Sequence, residues 1–162
     1  MVFDGHKTQR TNLHSVWDSS IARKLNGLSF DAHAVEEKPA AVKWAAELAE
    51  RVKLSSASAS ASGSSGSDLG LSLADECTDL ADPNRCGIEW ATESNALVCM
   101  YVLAPGLSWV KENDLGRGEY YEGAAPVVEL QIARAGVRLA AWVNAIAATI
   151  AADEQGVAKE DL

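Results

Sequence analysis

An all-α chain, a multi-helix bundle, is predicted on three observations. Apolar residues recur at helical spacing, beginning with Leu13, Trp17, Ile21 and Leu25. Trp, five in number, is plentiful, while the β-branched runs typical of strands are scarce. Helix starts and stops, among them Asn26-Gly27, Pro39 and Pro105-Gly106, punctuate the apolar stretches. With 162 residues and 48% hydrophobic content, there is material for one domain with a sizeable core.

Residues 1–10 are polar and read as an extended approach. Thr11 or Asn12 can cap a first helix, which carries the 13-17-21-25 stripe and ends at Asn26-Gly27. A second helix is expected from about Pro39 to Leu54, with Pro39 in its first turn. Val42, Ala45, Ala46, Ala49 and Val52 would form its buried face, with Trp44 packing against a neighbouring helix. Residues 55–67, rich in Ser, Ala and Gly, cannot bury enough apolar surface to offset their ordering entropy; they read as a flexible surface insertion within one fold. A third helix spans about Gly87 to Leu103, with Trp90, Leu97 and Tyr101 near one face. Glu93 lies at the border of that face and is expected to join helices rather than catalyse. Residues 106–118 form a loop or a short irregular helix after Pro105-Gly106.

The last helical segment covers about Glu119 to Ala152 and is interrupted by Pro126. Val127, Leu130, Ala133, Val137, Ala140 and Asn144 mark one face, and Ile132, Gly136, Leu139 and Val143 the next. Apolar groups on two faces make this helix central. Gly136 would allow close helix approach, and Arg138 is expected to be an ion-pair partner. Residues 1–152 thus read as part of a single domain, followed by a charged, frayed tail at 153–162.

A net charge of −9 argues against a module that binds nucleic acid by phosphate contacts alone. It does not exclude a metallonuclease, in which bound cations meet the phosphate. No 18-residue apolar run stands out, so no membrane span is expected. The N-terminus, Met-Val-Phe-Asp-Gly-His, does not have the form of a signal peptide. Of three cysteines, Cys77 and Cys86 flank the turn Asp82-Pro83-Asn84. They can form a disulfide in an oxidising compartment or stay reduced in the cytosol, and the residues leave both open. Neither a P-loop, a dinucleotide glycine pattern nor a Cys-x2-Cys pair is present.

Chemistry concentrates in residues 11–18, Thr-Asn-Leu-His-Ser-Val-Trp-Asp. Positions i and i+4 share a helix face, so one metal ion could touch both His14 and Asp18. That spacing alone is a weak signal, equally met by a surface pair. His6 is an auxiliary candidate contact, and His33 reads as solvent-facing.

The wording of the segment adds to the spacing. Asn12-Leu13-His14-Ser15-Val16-Trp17-Asp18 resembles the zinc-ligand segment of the S1/P1 nuclease family. Further blocks match in the same order: Trp90-Ala91-Thr92-Glu93-Ser94 with Cys99, Tyr120-Tyr121 leading to Pro126, and Gln131-Ile132-Ala133 followed by Gly136-Val137-Arg138-Leu139-Ala140 and Asn144. The likeness runs from about Phe3 to Ala147, with residues 55–87 resembling an insertion.

The resemblance implies a helical fold shared with zinc phospholipase C and a cluster of three zinc ions held by ligands along the whole intact chain. It also implies hydrolysis, by metal-activated water, of phosphodiester bonds in single-stranded DNA and RNA and of the 3′-phosphates of nucleotides. Secretion or exposure at the cell surface would accompany it. His14 and Asp18 would be ligands of one zinc, so at most one partial site falls in this chain. Ser15 and Trp17 would orient the ligands, and Ser20 would stand near the bound base. Cys99 matches a family cysteine whose partner lies elsewhere and is expected to be unpaired. The third ligand of the same zinc would lie upstream of Met1. The chain is therefore expected to correspond to the C-terminal half of such a domain, to lack its N-terminal half as partner, and to be inactive alone. Two alternatives stand beside this: a non-catalytic helical remnant that binds or complements another chain, and a zinc phospholipase C-like hydrolase.

Overall fold

A computed structural model describes residues 1–7, 12–29, 34–58 and 77–160 of the chain. His33, most of the Ser/Ala/Gly tract and the last two residues lie outside the described residues.

The N-terminus is a hairpin rather than a plain extended approach. Strands β1 (Val2–Phe3) and β2 (His6–Lys7) pair antiparallel, with Phe3 opposite His6. Asp4 and Gly5 between them both take positive φ, 52° and 81°, as a two-residue turn matched to strand twist requires. The Asp-Gly dipeptide was the sequence signal for it. Asp114 holds the turn: its carboxylate accepts from the Asp4 and Gly5 amides at 2.6 and 2.7 Å and from the Gly116 amide at 2.9 Å. Lys24 Nζ donates to Asp4 (3.0 Å) and to the Gly116 carbonyl (2.7 Å), and Arg117 reaches Asp4 at 3.1 Å. Hydrogen bonds from Lys24 and then Arg117 hold the Asp4 carboxyl below its ordinary range.

Asn12 caps the first helical segment with a capping box: its Oδ1 accepts from the Ser15 amide at 2.9 Å, and Ser15 Oγ accepts from the Asn12 amide at 3.2 Å. The segment is not one regular helix. Helix α1 (Leu13–Ser15) passes into a π turn (Val16–Ser20) and then into α2 (Ile21–Leu25). The wider turn shifts the buried side: Val16, Ser20 and Ile21 are buried, while Leu13, Trp17 and Leu25 of the expected stripe are half-buried.

Helix α3 (Ala34–Ser58) starts before Pro39 and takes in the first residues of the Ser/Ala tract. Its expected buried face is corrected. Val42, Ala45, Ala46 and Ala49 are exposed; Leu48 is buried with Trp44 and Val52 beside it, packed on Ala133, Val137 and Leu130. Of the five expected residues only Val52 packs inward; Trp44 and Leu48, at i and i+4 before it, are larger than the alanines of the expected face, and buried area decides. The expectation that Trp44 packs between helices stands: its indole N–H donates to Glu129 at 3.4 Å.

Helix α4 (Pro83–Leu97) begins earlier than expected because Asp82 caps it and Pro83 occupies its first turn. A second π turn (Val98–Val102) ends it, with the Leu103 amide donating to the Val98 carbonyl at 2.9 Å. Glu93 pairs with both Arg134 and Arg138 across to the last helix, so the helix-joining role read from the sequence is present. Arg138 also lies 5.1 Å over the Trp90 ring. Cys77 and Cys86 are disulfide-bonded and Cys99 is free and exposed. The bond closes a loop of sequence separation 9, and Trp142 Nε1 ties it to the body by donating to the Cys77 carbonyl at 3.0 Å. Reduction, or the double change Cys77→Ser and Cys86→Ser, is expected to cost about 2–3 kcal/mol of stability through loop-closure entropy, read as a lower urea midpoint.

The short helix α5 (Leu107–Glu112) fills the stretch read as loop or irregular helix, and α6 (Gly118–Glu160) completes the chain. Pro126 does not interrupt α6. It sits on the solvent side, where water can take up the carbonyl the ring leaves without a donor. The helix continues past Ala152 through most of the segment read as a frayed tail. By length and composition Gly118–Ala152 is long and apolar enough to cross a membrane, which corrects the reading that no such run exists. It is the central helix, as expected: α2, α3 and the second π turn all pack on it. Only one of its two apolar faces is covered, however. Ala124, Val128, Ala133, Val137 and Ala141 are buried, whereas Leu139 and Val143 are exposed.

The larger core cluster joins Phe3, Val16, Ile21, Val110, Leu115, Ala124 and Val128, so hairpin, first helical segment, α5 and α6 meet there.

Candidate metal centre

His14 and Asp18 are placed by the capping box and the π turn. The box fixes where the helix starts, and the buried Val16 and Ile21 fix its rotation. Both side chains are left on the outer side, 85% and 56% exposed, and His14 Nε2 stands 2.8 Å from Asp18 Oδ2. The structure thus brings together the two groups that the i, i+4 spacing paired. An imidazole nitrogen and a carboxylate oxygen turned toward one another are the donor types a zinc ion takes. A structural or catalytic site normally uses three or four protein ligands. Among the described residues no group of three His, Cys, Asp or Glu is arranged to hold a metal.

The pair stands on the edge of a groove of about 700 Å³ between the first helical segment, the second π turn and α6. Leu13, Trp17, Val98 and Val102 are among its walls. Asp18 also faces a smaller cavity of about 250 Å³ beside Trp44, where Arg23 Nε donates to Glu37 at 2.7 Å. Both π turns contribute to the larger groove, and such turns are frequent at functional sites.

Trp17 is locked from below. Its indole N–H donates to the Tyr120 hydroxyl at 2.9 Å, and that hydroxyl donates to the Val102 carbonyl at 3.0 Å. Burial raises the Tyr120 pKa, outweighing the Trp17 hydrogen bond that lowers it, so the phenol stays a neutral donor. This relay was missed in the sequence, where Trp17 was read as orienting the ligands and Tyr120 only as part of a turn. The sole signal was the presence of both in matching blocks. Ser15 acts through the helix cap rather than by touching His14 or Asp18. Ser20 is buried, and its hydroxyl faces the Ser15 carbonyl of its own helix at 3.4 Å. It does not share the outer face with the His14–Asp18 pair. His6 lies on the hairpin, opposite Phe3.

A sequence profile of the family described as S1/P1 Nuclease matches residues 2–148. The chain is 34% identical over 148 residues to Nuclease S1 of Aspergillus oryzae, an alignment covering 91% of this chain and 44% of that protein. To Nuclease P1 of Penicillium citrinum it is 33% identical over 146 residues, covering 90% and 46%. It therefore spans less than half the length of these relatives. On the breadth of the profile match and the identity along nearly all its length, the chain belongs to the S1/P1 nuclease family.

Proposed function

We propose that this chain carries part of the zinc centre of a nuclease that hydrolyses phosphodiester bonds of single-stranded DNA and RNA and 3′-phosphates of nucleotides. One observation carries the reading: His14 Nε2 and Asp18 Oδ2 face one another at 2.8 Å, on the edge of a groove, inside the family match. Bound there, a zinc ion supplies Lewis-acid charge for a phosphoryl group and lowers the pKa of water. The chain's own share is to hold two donors in place, through the cap at Asn12 and the anchored Trp17. Two donors hold zinc weakly, and among the described residues no third ligand joins them, so this reading takes the remaining ligands from outside the described residues and expects the chain alone to be inactive. Ser20 reaches a bound base only if its hydroxyl leaves the Ser15 carbonyl. The Cys77–Cys86 disulfide supports an oxidising, extracellular-type location.

Joining this chain to the portion of Nuclease S1 that it does not span tests the reading. Zinc-dependent cleavage of single-stranded DNA that disappears with His14→Ala is the expected outcome. A folded chimera that cleaves equally well with His14→Ala overturns it. Phosphatidylcholine hydrolysis in place of DNA cleavage would instead favour the phospholipase C-like reading. The exposed apolar face of α6, with Leu139 67% and Val143 54% exposed, favours a binding partner as the second reading.

A further inference from the structure

We propose that the cavity between the second π turn, α5 and the start of α6 is a base-stacking subsite for single-stranded nucleic acid, separate from the His14–Asp18 edge. The proposal rests on the nuclease reading above and adds a place for the substrate strand. The cavity measures about 670 Å³, within the range of pockets that take small organic ligands.

Its walls are aromatic. Tyr101 and Trp109 are 38% and 39% exposed, and Tyr120 stands behind Trp109 with ring centroids 5.9 Å apart and planes tilted by 30°. Trp109 therefore has one side supported by a ring and keeps exposed surface for another. Gly118 and Gly123 leave room beside them: a Cβ at either position would meet nothing within 4 Å. Arg117 stands at the rim, reaching Asp4 at 3.1 Å and Asp114 at 3.6 Å, with its side chain 63% exposed. Glu119 brings a negative charge to the same cavity, and the whole chain carries −9. Phosphate contacts therefore contribute little, and stacking on Trp109 carries the affinity. Stacking of this kind is tolerant of base identity, because every base has a π face.

A single wall separates the cavity from the first groove. Tyr120 lines the aromatic cavity, while Trp17 and Val102 line the His14–Asp18 groove, and the Tyr120 hydroxyl bonds to both of the latter. A strand held at the His14–Asp18 edge can cross this wall and lay a base on Trp109. The open floor at Gly123 admits a flat ring, and a larger side chain there would fill the space.

Fluorescence anisotropy of a short fluorescein-labelled oligo(dT), titrated with the chain at low salt in EDTA, tests this without any metal. The unaltered chain is expected to bind the oligonucleotide and to bind a duplex of the same length more weakly, since paired bases offer no free face. Trp109→Ala is expected to weaken binding by about tenfold or more, Trp109→Phe to retain most of it, and Gly123→Leu to weaken it by filling the cavity. Thermal unfolding of each variant checks that the fold is kept, and Gly123→Leu tests the site without removing a packed ring. No binding by the unaltered chain, or unchanged binding by Trp109→Ala and Gly123→Leu, overturns the proposal. Because EDTA removes the zinc, such a failure leaves the cleavage test of the chimera untouched, and a failed cleavage test leaves this one readable.

Discussion

Replacing Glu93 by Ala lowers the stability of the chain by about 2–3 kcal/mol. Its carboxylate lies between Arg134 and Arg138, whose side chains are only 23% and 14% exposed, so removal takes from both half-buried cations the carboxylate they share. Breaking a fully buried pair costs about 3–5 kcal/mol. The carboxylate here remains 33% exposed, and solvent lowers the figure. Arg138 keeps its place over Trp90, which retains part of the α4–α6 contact. Glu93→Gln keeps an acceptor and is expected to lose about half as much. Urea unfolding of the two variants checks both values. A loss below about 0.5 kcal/mol for Glu93→Ala would mean that the pair behaves as a surface ion pair.

Gly116→Ala is the second large effect. A Cβ at this position would stand 2.4 Å from the Asp4 backbone nitrogen, in the place where the hairpin meets the 114–117 loop. Backbone must move to admit it, and that movement disturbs the Asp114 and Lys24 hydrogen bonds together. A cost of about 1–3 kcal/mol is expected, read as a lower urea midpoint. Gly123→Ala is the control: a Cβ there meets nothing, and in a helix the change is expected to be neutral or stabilising. Equal midpoints for the two variants would show that the hairpin yields without cost.

The all-α class was legible because apolar periodicity and caps act locally. Asn12, Asn26-Gly27 and Pro105-Gly106 each mark a helix end through the residue's own backbone chemistry. Readings that failed depend on distant partners or on solvent. The buried side of α3 is chosen by what α6 presents at Ala133 and Val137, not by the count of apolar residues on α3. Pro126 is tolerated because it faces water. The π turn at Val16–Ser20 inserts its shift without a composition signal, and Ser20, expected near a bound base, is buried. At the site, His14 and Asp18 were legible because four residues along a helix set their contact. The Trp17–Tyr120–Val102 relay was not, since Trp17 and Tyr120 lie 103 residues apart.

Two of the expected outcomes, for His14 in the chimera and for the zinc titration below, share one premise: the first helical segment presents a two-donor metal edge. The most direct test is a zinc titration of the chain followed by NMR at the His14 imidazole. Weak, saturable binding that shifts His14 and Asp18 together and vanishes in His14→Ala and in Asp18→Asn is expected. Zinc that leaves His14 unmoved, or binding that persists in both variants, would contradict the premise.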